Sequence, residues 1–139
     1  MTLAETLAAL HAASFKTAWS VADFEAFLQN AFVRVVTSDH GLALIQTIPP
    51  EAELLTLSIL PQARGNGHGR ALLEATLTEA RAAGATSMFL EVDADNSAAI
   101  ALYTSKGFTR TGLRKGYYAH DDGTRTDAVT MTLALEPGS

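Results

Sequence analysis

The chain has 139 residues, 47% hydrophobic and 18% charged, which suits one compact domain over residues 1–139 and not a disordered segment. A net charge of −5 removes electrostatic support for nonspecific nucleic-acid binding, and the absence of cysteine excludes disulfides, thiolate nucleophiles and cysteine-ligated metals. No apolar run is long enough to cross a bilayer and no basic-then-apolar leader opens the chain, so a soluble cytoplasmic protein without membrane or nucleic-acid partners is expected.

Leu3, Leu7 and Leu10 recur at helical spacing and predict a helix over 3–13, with His11 as an ordinary surface or half-buried residue. A loop over 15–19 follows. Ser20, with Asp23 three residues on, forms the signature of a capped helix carrying Phe24, Phe27 and Leu28. Two strands over 32–37 and 41–48 flank the turn Asp39-His40-Gly41, and Pro49-Pro50 ends the second and starts an exposed connection.

The strand over 53–60 reads as central, because both faces are largely apolar: Leu55, Leu57 and Ile59 on one, Leu54, Thr56, Ser58 and Leu60 on the other. It runs into a glycine-rich turn and then a helix that stacks Leu73, Leu77 and Ala80 and stops at Gly84. A buried strand over 87–92 follows. Asn96 caps a short helix ending at Gly107, and strands over 108–118 and 126–135 close the chain around Asp121-Asp122-Gly123. The order ααβββαβαββ is a mixed α/β layer fold built on one sheet.

The turn at 64–69 is the centre of this arrangement. Gly65, Gly67 and Gly69 leave side chains absent where a phosphate could approach the backbone, and the following helix points free N–H groups and its positive dipole end into the turn. Arg64 and Arg70 flank it with fixed charge. The spacing fits neither Gly-x-x-x-x-Gly-Lys-[Ser/Thr] nor Gly-x-Gly-x-x-Gly. A glycine-rich turn can also do nothing but turn; the alternative is an anion cradle for a pyrophosphate.

Two side chains stand out beyond it. Glu91 is the one charge in Met88-Phe89-Leu90-Glu91-Val92, where a carboxylate must face a cleft, find a partner or shift its pKa upward. An ion pair or a helix-capping role accounts for it as well as catalysis does. Tyr103, on the helix opened by Asn96, would by default pack in a core, although its phenol can also donate a proton.

The stretch Arg-x-x-Gly-x-Gly at 64–69 resembles the acetyl-CoA-binding loop of the GNAT acyltransferases. Leu90-Glu91-Val92, Asn96, Ala99, Leu102-Tyr103 and Gly107-Phe108 match the second half of that family's pattern, in particular that of the RimI group, N-terminal acetyltransferases of bacterial ribosomal protein. The 15–20 segment resembles that group's Phe-Pro-Trp-Ser loop. Arg114-Lys115-Gly116-Tyr117-Tyr118 with Asp122-Gly123 and Asp127-Ala128-x-x-Met131 resembles its tyrosine-pair hairpin and final strand. The likeness spans roughly residues 3–135.

The resemblance implies a GNAT fold, a mixed and mostly antiparallel sheet flanked by helices, here lacking the family's first edge strand. It implies acetyl-CoA as co-substrate, no metal, and direct transfer without a covalent enzyme intermediate. The acceptor it implies is a protein N-terminal amine, that of the small-subunit ribosomal protein numbered eighteen, with the enzyme a monomer or weak dimer. Backbone groups of Leu57, Ser58 and Ile59 would pair with the pantetheine arm. Those of Gly65, Asn66, Gly67, His68, Gly69 and Arg70 would hold the pyrophosphate beside Arg64, and Asn96 would touch the arm. Glu91 would be general base, directly or through water, and Tyr103 general acid to the departing thiolate. Phe15, Trp19, Tyr117 and Tyr118 would line the peptide slot.

An α-amine, with a reference pKa near 8, costs about 1 kcal/mol or less to deprotonate near neutrality, whereas a lysine near 10.4 costs roughly 4 kcal/mol. One relayed carboxylate therefore suits a chain terminus better than a lysine. The alternatives are acetylation of a small-molecule amine such as a polyamine or aminoglycoside, and a noncatalytic acyl-CoA sensor. The sequence departs from the pattern in the missing proline at 16–18 and in His68, where a bulky apolar residue is common.

Overall fold

The computed structural model describes residues 2–14 and 19–135, the side chains at 10 and 12–14 excepted. Two helices, α1 (Leu3–Ser14) and α2 (Val21–Gln29), precede three strands, β1 (Val33–Ser38), β2 (Gly41–Ile48) and β3 (Glu51–Ile59). A single 3₁₀ turn (Pro61–Ala63) leads into α3 (His68–Ala82), followed by β4 (Ser87–Asp93), α4 (Ser97–Ser105), β5 (Thr109–Ala119) and β6 (Arg125–Ala134). The predicted order is the observed one. Among the described residues no strand precedes α1.

The helix boundaries follow from local chemistry. Ser20 and Asp23 make the reciprocal capping box, Asp23 N–H donating to Ser20 Oγ at 3.1 Å and Ser20 N–H to Asp23 Oδ2 at 2.9 Å. After α3 and α4 the chain turns at Gly84 (φ +96°) and Gly107 (φ +99°), left-handed positions where a side chain would be strained.

The six strands form one sheet in the order β1-β2-β3-β4-β6-β5, antiparallel throughout except for β3 beside β4. One face carries Leu42, Leu44 and Phe24 with Ala4 and Leu7 of α1. The other packs Ala43, Ile45, Leu54, Met88, Leu90 and Val92 against Leu72, Leu73 and Leu77 of α3 and Tyr103 of α4. A large apolar side chain buried this way contributes about 1.5–3 kcal/mol.

Three features depart from the expectations. The connection at Pro49 and Pro50 is exposed as expected but only two residues long, Ile48 pairing with Glu51, so β3 starts at Glu51 and not at 53. Within β3, the register slips between Leu44–Thr56 and Ile45–Leu54, leaving Leu55 as an extra residue. The slip reverses the alternation. Leu54, Leu57 and Ile59 share the α3 face, while Leu55 packs with the α1/α2 cluster, so the predicted grouping of Leu55 with Leu57 and Ile59 is overturned. A longer irregularity in β5, between Arg114–Ala128 and Tyr118–Thr126, displaces residues 115–117. Gly116 (φ +61°) lies in it, its N–H donating to Asp127 Oδ1 at 2.8 Å.

Candidate active site

The parallel pairing of β3 with β4 is short, running from Glu51–Ser87 to Leu54–Leu90. Beyond it the strands part. Residues 56–59 keep their β2 partners but pair with no β4 residue, so backbone groups along that edge ahead of Ile59, whose carbonyl accepts from Arg64 Nε, are left for another partner.

A cavity of about 350 Å³ opens on the α3/α4 side of this gap, lined by Leu57, Ser58, Ile59, Arg64, Gly65, His68, Gly69, Asn96 and Tyr103, all predicted from the sequence. Its wall also includes Ala63, Ala98, Ala99 and Leu102, which the predicted site omits although Ala99 and Leu102 belong to the quoted motif. Asn66, Gly67 and Arg70 are outside the lining. Asn66 Nδ2 donates to the carbonyls of Ala63 and Arg64, both at 3.4 Å, and so fixes the loop's shape. Arg70 projects from α3 with its Nε 4.0 Å from Glu74.

The loop fits an anionic group. Gly65 (φ +83°) and Gly67 (φ +82°) are left-handed, and a Cβ at either would meet nothing within 4 Å, so the backbone is open to approach. Gly67 caps α3 without any side-chain hydrogen bond, leaving the helix N-terminus for a ligand. Arg64 Nε donates to the Ile59 carbonyl at 3.2 Å and ties the loop to the end of β3. The ring of His68 lies 3.7 Å, centroid to centroid, from that of His40, so the histidine assigned to the pyrophosphate through its backbone meets at the cradle one that reads only as a turn residue.

Asn96 caps α4, accepting from the Ala99 N–H at 3.1 Å. Tyr103 is 6% exposed, its ring edge-on to Phe108 with centroids 5.7 Å apart. Burial pushes its phenol up to about 12, the neighbouring Tyr118 adding to the effect.

Glu91 is not part of the cavity wall. It is the first β4 residue past the last β3–β4 pair, on the opposite face from Leu90 and Val92. Its Oε2 is buried without a hydrogen bond, and Arg114 Nε stands 3.4 Å away. Arg114 is also 5.0 Å from the centre of the Tyr117 ring. Tyr117 and Tyr118 meet edge-on at 5.0 Å. Tyr118 is pushed up to about 12 by burial first, then by Glu91, Tyr117 and Asp93, with Arg114 opposing. Glu91, Tyr117 and Tyr118 thus gather on one side of the gap and Tyr103 lines the other.

Of the predicted substrate loop, Phe15 lies outside the described residues. Trp19 is half-buried and stacks on His11 with centroids 4.8 Å apart and planes 13° apart. His11 itself is only 3% exposed and accepts the Trp19 N–H on Nδ1 at 3.1 Å, a correction to the surface or half-buried role expected of it. Burial pushes it down to about 4. The alanine-rich helix around it offers no local sign of this contact. His120 is also engaged, its Nε2 2.8 Å from Thr126 Oγ1, which donates to Asp93 Oδ2 at 2.8 Å. Among the described residues no group of three or more His, Cys, Asp or Glu side chains could hold a metal, and no helix is long and apolar enough to cross a membrane.

The model of the acetyltransferase (GNAT) family matches residues 5–108. The chain belongs to that family. This acetyltransferase is 36% identical over 121 residues to the ribosomal protein bS18-alanine N-acetyltransferase of Escherichia coli, covering 84% of this chain and 81% of the relative. The crystal structure of the ribosomal-protein-S18-alanine N-acetyltransferase from Escherichia coli superimposes with a TM-score of 0.87 at 31% identity, over 98% of this chain and 90% of that one. Arabidopsis thaliana NAA60 in complex with acetyl-CoA shares the fold, with a TM-score of 0.82 at 16% identity over 95% of this chain and 93% of that one. The GNAT acetyltransferase is therefore of the RimI type in sequence and fold, and the tyrosine hairpin beyond residue 108 extends the likeness past the family match.

Proposed function

We propose that this acetyltransferase moves an acetyl group from acetyl-CoA to the N-terminal α-amine of a protein, the ribosomal protein bS18, in the cytoplasm. The observation that carries the proposal is the parting of β3 and β4 after Leu54 and Leu90, with a glycine-cradled cavity on one side and a carboxylate among tyrosines on the other. Two reactants brought from opposite sides of one gap meet without sharing a pocket. The Escherichia coli relative's name supplies the acceptor.

Acetyl-CoA supplies an activated thioester. The β4-side backbone edge at Leu57 and Ser58 pairs with its extended arm and polarises the thioester carbonyl, and Ile59, whose carbonyl accepts from Arg64 Nε, borders the arm. N–H groups from Gly65 to Arg70 hold the pyrophosphate, with Arg64 and Arg70 adding charge and Asn66 bracing the loop. Asn96 borders the arm. Tyr117, Tyr118 and Trp19 line the acceptor slot. Glu91 takes the amine's proton, through water, as the C–N bond forms and the C–S bond breaks.

Tyr103 faces the departing sulfur, but the acidities refine its role. An ordinary phenol near 10 is already a weaker acid than a thiol near 8.5, so handing its proton to a fully formed thiolate runs uphill by about 2 kcal/mol. At about 12 the cost becomes about 5 kcal/mol. Tyr103 therefore acts as a permanently protonated hydrogen-bond donor that stabilises developing charge on sulfur, and full proton transfer is not required of it.

The test is release of free CoA thiol in the presence of a peptide carrying the bS18 N-terminus, the same peptide already N-acetylated, and a polyamine. Turnover with the free terminus alone supports the proposal. Turnover with the polyamine alone replaces it with a small-molecule enzyme, and CoA binding without turnover replaces it with a sensor.

A further inference from the structure

Glu53 is a carboxylate that the mechanism above does not use. It lies inside β3 between Ala52, fully buried, and Leu54, 4% exposed, where a strand would ordinarily present an apolar or neutral side chain. Its register partners are Gln46 on β2 and Phe89 on β4. Phe89 and Glu91 are two residues apart on β4, so Glu53 and Glu91 share one face of the sheet and flank the point where the strands part.

Among the described residues neither a hydrogen bond nor a salt bridge takes up the Glu53 carboxylate; the nearby guanidinium of Arg114 pairs with Glu91 instead. The consequence is a local imbalance of two carboxylates facing one guanidinium whose side chain is 59% exposed. The other titratable groups at this place are Tyr117, Tyr118, whose phenol is pushed up to about 12, and Asp93, which is occupied by Thr126 and the Asp95 N–H with His120 3.7 Å away. Burial first, then the charge of Glu91, holds the Glu53 carboxyl above its ordinary range, with Arg114 working the other way. The seat is one cation short, and it lies on the acceptor side of the gap.

We propose that Glu53 is a specificity-determining residue that binds the acceptor's ammonium, forming with Glu91 a two-carboxylate seat that Arg114 partly neutralises in the free enzyme. This rests on the acceptor being an amine brought to the Glu91 side. An α-amine with a reference value near 8 arrives mostly as the ammonium at neutral pH, and a compact cation with three donors matches carboxylates from two adjacent strands. Glu53 holds the cation and Glu91 receives its proton. The acetylated product is a neutral amide, so the seat loses its hold on it and release follows from the chemistry.

The experiment is calorimetric titration of the CoA-loaded enzyme with two peptides of the bS18 N-terminus, one with a free α-amine and one N-acetylated, in wild type, Glu53→Gln and Glu53→Asp. Glu53→Gln is expected to weaken binding of the free-amine peptide about tenfold, the scale of one charge-assisted hydrogen bond, and to leave the acetylated peptide unchanged, with Glu53→Asp intermediate. Equal losses for both peptides, or no loss for either, overturn the proposal. If wild type shows no preference for the free amine, the assigned acceptor is at fault, and the titration is repeated with spermidine. Weaker spermidine binding in Glu53→Gln then upholds the seat, and unchanged or undetectable binding overturns it.

Discussion

Leu54 and Leu90 face each other as the last pair joining β3 to β4, and Glu91 is the next residue along. A parallel pair that stops there converts an ordinary sheet into a slot with two mouths. Donor and acceptor then need no common pocket, and the side chains that serve each are drawn from opposite layers.

Gly67 offers the cleanest test of the phosphate cradle. Its left-handed φ of +82° strains any side chain, while the space a Cβ would enter is empty. Gly67→Ala should therefore cost about 1 kcal/mol of stability and weaken acetyl-CoA binding more than tenfold. Gly123, at φ +85° in the β5–β6 connection and equally unobstructed, supplies the control. Gly123→Ala should match the stability cost without affecting cofactor affinity. Equal affinities for the two variants would remove Gly67 from the cradle.

Tyr103→Phe removes one hydroxyl from a ring that is otherwise core. Acetyl-CoA affinity and melting temperature should hardly change, while kcat falls about 10–100-fold for loss of a donor to developing charge. With its phenol at about 12, Tyr103 stays protonated through pH 10, so wild type should show no alkaline loss of kcat between pH 8 and 10 from this group. A parallel fall in affinity and turnover would make Tyr103 a packing residue.

The order and type of every helix and strand were legible in the sequence because each rests on local signals: the Ser20–Asp23 box, the glycine stops at 84 and 107, and the apolar runs between them. The cavity was legible in the same way, through glycines adjacent in the chain. What was not legible depends on counting residues across neighbouring strands. One extra residue at Leu55 leaves β3 as apolar as before yet puts Leu55 and Leu57 on opposite faces. The displaced 115–117 segment likewise looks like plain strand until its partner is known. Glu53 reads as one of two glutamates after a proline turn. Only its place beside Phe89, one step from Glu91, gives it a context.

The Arg114–Glu91 pair should contribute little to folding. The Arg114 side chain is 59% exposed and its Nε stands 3.4 Å from a carboxylate oxygen that accepts no hydrogen bond. Arg114→Gln should change stability by less than about 1 kcal/mol. Glu91→Gln should be similarly mild in stability but lower kcat by about 10²–10³-fold, because the amine loses its proton acceptor. Urea denaturation beside steady-state kinetics separates the two effects. A large stability loss in Glu91→Gln with little change in kcat would assign Glu91 to the fold.

His11 makes folding itself sensitive to acid. Its Nδ1 accepts the Trp19 N–H, which only the neutral ring can do, and burial holds it down from about 6.5 to about 4. Between those values the unfolded chain binds the proton and the folded one resists it. The stabilisation is therefore complete above pH 6.5, declines as pH falls toward 4, and is flat below, amounting to about 3 kcal/mol across the window. His11→Asn keeps an acceptor near the Trp19 N–H but cannot titrate. It should start less stable at pH 7, since the stacked imidazole is lost, and then show a shallower fall between pH 6.5 and 4.5 than wild type. Urea midpoints across that range measure the difference. Because carboxylates elsewhere titrate alike in both proteins, identical slopes would mean that His11 carries none of the acid sensitivity, and that Trp19 is held by its ring contacts with Phe24 and Phe27 at 5.6 and 5.0 Å alone.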